Sequence, residues 1–180
     1  MKGDEYRDRI ANYIHANFSP FGLVVYVEVP FGKTVIGKNR RVDVLVLRPS
    51  DQQALGLECK YQASSGTTDE KIPYALQDLE AMWIPGALVY AGTGWSAGVL
   101  HTLEGDRRAV FCEPSDTLER HKNRTIELDH VIASVFGLWD VVIDEKHRLV
   151  PDPQMSLPAP GFARVPGTAK AKKPKTGAAG

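Results

Sequence analysis

Tyr6, Ile10, Tyr13, Ile14 and Phe18 recur at the three- and four-residue spacing of one helix face, with acids gathered early in the segment. The pattern predicts an amphipathic helix from Asp4 to Phe18, closed by Ser19-Pro20 because proline cannot continue a helix. The stretch GLVVYVEVP then reads as a strand, and a loop with Gly32, Gly37, Lys38 and Asn39 leads into a second strand from Arg41 to Leu47. Pro49-Ser50-Asp51 makes a turn, and a third strand runs from Ala54 to Tyr61. Two strands joined by so short a turn pair antiparallel.

In KIPYALQDLEAMW the residues Ile72, Ala75, Leu76, Leu79 and Met82 form an apolar helix face, with Pro73 in the first turn. GALVYAG follows as a short strand without polar residues, which suits a central, parallel position. A helix from Ser96 to Leu103, a strand from Ala109 to Glu113 and a helix from Leu128 to Phe136 complete the series. The order describes an α/β domain, a mixed central sheet flanked by helices. After Pro151 the composition shifts to proline, glycine, alanine and lysine, which cannot bury enough to order itself. The expected organisation is a folded domain over 1–150 and a disordered C-terminal tail over 151–180.

Charge changes the picture only locally. The 180 residues carry 22 basic and 22 acidic side chains. The tail holds Arg164, Lys170, Lys172, Lys173 and Lys175 against the single acid Asp152, so the body is mildly acidic. Any polyanion would be held by patches such as Lys33, Lys38, Arg40 and Arg41, or Glu119 to Arg124, rather than by overall charge. Cys59 and Cys112 fit neither a disulfide framework nor a zinc spacing and read as reduced core residues. The five histidines show no ligand spacing, and GTGWSAG lacks the context of a dinucleotide loop, so it reads as a turn. A charged N-terminus and the lack of a long apolar run lead to the expectation of a soluble, cytoplasmic protein.

One anomaly carries chemistry. Asp43 stands inside Val42-Asp43-Val44-Leu45-Val46-Leu47, where an unpaired buried charge is costly. On the next strand Glu58, Lys60 and Gln62 share a face opposite Leu57, Cys59 and Tyr61. A Glu and a Lys two apart on a strand are ordinarily a solvated face, but no solvated face runs through RVDVLVL. Pairing the strands brings Asp43 beside Glu58, and two carboxylates in a half-buried site repel unless a proton or a cation lies between them. Oxygen donors of this kind suit magnesium better than zinc.

Asp43 followed by Glu58-Cys59-Lys60 on consecutive strands, preceded by a helix and a strand and followed by a helix and a strand, resembles the PD-(D/E)XK nuclease superfamily, the restriction-endonuclease-like fold. The resemblance covers the chain to about Tyr90, and Val42 replaces the nominal proline. It implies that Asp43, Glu58 and the Cys59 carbonyl bind Mg2+, with Mn2+ able to substitute, and that Lys60 acts on the attacking water. Gln62 fits an accessory glutamine of many members. Glu28, with Glu5 or Asp8 behind it, fits their additional acid, although alternation in Val27-Glu28-Val29 equally describes a plain edge-strand residue.

The implied activity is hydrolysis of DNA phosphodiesters by a small endonuclease, restriction-like or resolvase-like, acting as a homodimer so that each subunit cuts one strand. A phage or mobile-element setting would suit so compact a chain. The alternative is a nuclease-like scaffold without activity that binds DNA or a protein. Lys71, Tyr74 and Gln77 read as ordinary outer-face residues of the second helix, with contact to a phosphate or base as the other reading.

Overall fold

The computed structural model describes residues 1–143 except 65, 67 and 68, so the expectations for 144–180, tail included, lie outside the described residues. The chain runs α1 (Gly3–Phe18), β1 (Val24–Lys33), β2 (Asn39–Arg48), β3 (Gln53–Tyr61), α2 (Ile72–Glu80), β4 (Gly86–Ala91), α3 (Ala97–Gly105), β5 (Ala109–Phe111), α4 (Ile126–Phe136) and α5 (Trp139–Val142). These strands form one five-stranded sheet in the order β1-β2-β3-β4-β5. The β1–β2 and β2–β3 pairs are antiparallel, while β3–β4 and β4–β5 are parallel, each parallel step being bridged by a helix. It is the mixed sheet with flanking helices that the apolar pattern predicts.

Alternation along the strands divides the core in two. Val44, Val46, Leu55, Leu57, Cys59, Val89 and Ala91 pack with α1 and α4 on one face. Leu88, Tyr90 and Ala109 pack with α2 and α3 on the other. Helix α1 presents Tyr6, Ile10, Tyr13, Ile14 and Phe18 to the first face, with Asp4 and Glu5 near its positive end. Two of its tyrosines satisfy their hydroxyls inside the core: Tyr6 donates to the Cys112 carbonyl at 2.6 Å and Tyr13 to Asp129 at 2.6 Å. Strand β5 ends at Phe111, two residues short of the expected bound, and beyond it the outward-facing Glu113 amide donates to the Arg124 carbonyl at 2.8 Å. Among the described residues no helix is long and apolar enough to cross a membrane.

Candidate active site at the fork between β2 and β3

The ladder between β2 and β3 runs from Arg48–Gln53 to Val44–Leu57 and stops there, although both strands continue. Asp43 is the next residue on β2, opposite Glu58. Its Oδ2 accepts the Cys59 amide at 2.8 Å, so the carboxylate fills the opening fork. On β3 the amides of Gly56 and Gln62 point away, to carbonyls on the β4 side. By the alternation of a strand, the Cys59 amide and carbonyl both face the fork. The Cys59 thiol belongs instead to the core beneath α1.

Glu58 pairs in register with Leu88 and Lys60 with Tyr90, residues of the α2 and α3 face. The two side chains therefore project toward α2. They line a cavity of about 250 Å³ whose walls include Val42, Lys71, Tyr74 and Asp78. Lys60 Nζ lies 2.5 Å from Glu58 Oε1, and both groups are largely shielded from solvent. Burial is the strongest influence on Glu58 and pushes its carboxyl up; Lys60 pulls it down, Asp43 and Asp78 push it up, and the net direction is upward. Burial works against the Lys60 ammonium, but Glu58 and Asp43 outweigh it and hold it above the ordinary lysine value. Lys60 is therefore a cation at neutral pH, among carboxylates that repel one another.

The other residues picked out in the sequence lie differently. Gln62 is buried and outside the strand: its Nε2 donates to Asp69 at 2.7 Å and to the Gly94 carbonyl at 2.8 Å. Its backbone also takes the Ala91 carbonyl and the Gly94 amide, while Asp69 accepts the Ser96 amide at the start of α3. Gln62 thus ties the segment after β3 to the segment after β4, and it does not line the cavity of Glu58 and Lys60. Glu28 falls opposite Asp43 across β1 and β2, between the pairs Val27–Val44 and Val29–Val42. Its side chain meets Arg7 at 2.7 Å and Arg41 at 3.6 Å, and its backbone has φ of 54°. Lys71 and Tyr74 stand on the cavity wall; Gln77 does not.

Sequence reasoning missed the clamp that closes this wall. Arg40, only 7% exposed, donates to both carboxylate oxygens of Asp78 at 2.8 and 2.9 Å and to its carbonyl at 2.8 Å. The Val35 amide adds a further bond at 2.9 Å, so β2 and its preceding loop are fastened to α2. Partners 38 residues apart leave no local sequence signal. Burial pushes the Asp78 carboxyl up, but the bonds from Arg40 and Val35 outweigh it and hold it below the ordinary value. Such a group adds stability that is fully present above the unfolded aspartate pKa, about 3.9, and is lost as the pH falls through the lower folded value. Asp78→Asn is expected to cost about 1–3 kcal/mol, since charge-assisted bonds become neutral ones. In thermal melts the lead of the wild type over the variant should hold at neutral pH and shrink below pH ~4.

A half-buried acid pair stands beside a lysine at a fork of the second and third strands, in a helix-flanked mixed sheet that has the fold of a nuclease-like domain. The chain matches the model of the PD-(D/E)XK nuclease superfamily domain over residues 2–139, and it belongs to that superfamily. No curated protein matches it. Among solved structures it is similar to a repair endonuclease from Pyrococcus abyssi, with 20% identity and a TM-score of 0.33 over 57% of this chain and 46% of that one. It is also similar to a protein of unknown function, with 14% identity and a TM-score of 0.36 over 54% of this chain and 53% of that one. The chain spans about half the length of these two structures.

Proposed function

We propose that the chain is a magnesium-dependent deoxyribonuclease that hydrolyses DNA phosphodiester bonds, with manganese able to replace magnesium. The observation that supports it is the fork itself: Asp43 enters the gap between β2 and β3 within electrostatic reach of Glu58, with Lys60 bonded to Glu58. The donor set fits a hard cation, being two carboxylates and the Cys59 carbonyl, with the Cys59 thiol turned into the core. When bound, such an ion supplies neutralising charge and Lewis-acid polarisation at the phosphodiester.

The chain's own groups do the rest. Asp43 and Glu58 would hold the ion, and their mutual repulsion is the reason a cation is attracted there. Lys60, already protonated, is suited to stabilise developing negative charge on the phosphoryl group and to orient the attacking water, not to take its proton. Lys71 and Tyr74 on the cavity wall are within reach of a backbone phosphate. Gln62 and Glu28 fit supporting roles, through the link to Asp69 and Gly94 and through the ion pair with Arg7. A homodimer, each subunit cutting one strand, would let so small a domain break a duplex.

The test is cleavage of supercoiled plasmid, linear duplex, single-stranded and branched DNA by the full chain. Nicked or linear products are expected with magnesium or manganese, and none with EDTA. If no DNA form is cut under either metal, the nuclease reading fails and the domain is a binding scaffold.

A further inference from the structure

Next to the catalytic cavity the chain holds an indole almost free in solvent. Trp83 follows α2 and is 87% exposed, yet it is seated in place. The Phe31 ring lies 6.3 Å away, tilted by 57°, and a side chain added at Gly32 would meet the indole at 3.7 Å. A break in register between Pro30 and Lys33 and a φ of 65° at Gly32 bring this part of β1 against Trp83. A second cavity, of about 360 Å³, lies here between Phe31, Lys33, Arg40 and Trp83. Arg40 lines both this cavity and the one holding Glu58 and Lys60, so the two are neighbours that share a wall.

Cations surround the pair of cavities. Lys33, Lys38 and Lys71 are exposed and have no ion-pair partner among the described residues. Arg41 is mostly exposed and reaches Glu28 only at 3.6 Å. An intact duplex would satisfy these charges with its phosphates, but it hides its base faces in the stack and offers the indole nothing. An unpaired base presents a flat face to Trp83 while its neighbouring phosphates meet the lysines. A second copy of the chain is a poorer occupant, because a twofold contact through this patch would bring like-charged lysines together.

We propose that Trp83 is a stacking platform for an unpaired base beside the scissile phosphate, so that the substrate class is DNA with a single-stranded segment adjoining a duplex. The inference rests on the DNA reading above and narrows it.

Fluorescence anisotropy in EDTA tests it without turnover, using the full chain with a blunt duplex and with the same duplex carrying an overhang of about ten nucleotides. The wild type should prefer the overhang. Trp83→Ala should weaken overhang binding on the order of ten- to a hundredfold, with blunt-duplex binding unchanged and Trp83→Phe retaining most of the preference. Because the side chain is exposed, the variants should melt with the wild type. Unchanged overhang affinity in Trp83→Ala, an equal loss on both DNAs, or a change of oligomeric mass with DNA binding intact would each overturn the proposal. A chain that shows the Trp83-dependent preference but cuts no DNA keeps the stacking platform for an unpaired base and loses the nuclease reading. One that cuts with no dependence on Trp83 does the reverse.

Discussion

Lys60→Ala is expected to slow single-turnover DNA cleavage by roughly 10²- to 10⁴-fold while leaving DNA affinity nearly unchanged. The size follows from where the charge stands. Lys60 Nζ lies 2.5 Å from Glu58 in a largely buried site, where a fixed cation acts on developing charge with little screening by water. Its raised pKa keeps it protonated through the neutral range, so its loss removes a positive charge and not a base. Affinity should hold because one shielded ammonium adds little to a contact that exposed lysines dominate. Lys60→Arg should recover part of the rate, since it keeps the charge but not the compact ammonium. A Lys60→Ala chain within about tenfold of the wild-type rate would remove Lys60 from the proposed chemistry.

The largest loss of stability is expected at Gly92. Its φ is 98°, which side-chain-bearing residues rarely adopt, and a Cβ there would stand 2.2 Å from the Gln62 carbonyl oxygen. That oxygen belongs to the backbone tie between the segments after β3 and β4, so it cannot swing aside as a side-chain tip could. Strain and overlap together should cost about 3 kcal/mol or more and lower the melting temperature of Gly92→Ala by roughly 10 °C. Gly98 in α3 is the control: nothing lies within 4 Å of a Cβ there, and alanine should be neutral or slightly stabilising. A Gly92→Ala chain that melts within about 2 °C of the wild type would show that the loops are not locked together.

The strands were legible because their apolar periods are plain, and the parallel placement of β4 followed from a run with no polar residue. Asp43 was legible for the opposite reason, as a charge where the pattern allowed none. Other features depend on where elements stop. Spacing puts Gln62 on the face of Glu58 and Lys60 only if β3 continues, but the strand ends at Tyr61 and the amide turns to Asp69 and Gly94. In the same way the apolar pattern carries the second helix through Trp83, whereas α2 ends at Glu80. Met82 then reaches under Gly56 while Trp83 turns outward. The salt bridges Arg7–Glu28 and Arg40–Asp78 join distant segments, and no local pattern encodes them.

The left-handed residue in β1 bears on how the protein behaves in a crowded solution. β1 is the outer strand of the sheet and leaves Val24, Tyr26 and Val27 open to water, a composition that invites a stray strand to add on. Glu28, at φ of 54°, interrupts the flat run midway, and Pro30 two residues on has no amide hydrogen to offer. Glu28, the residue that meets Arg7, therefore also denies a passing chain an unbroken template for fibre-like growth.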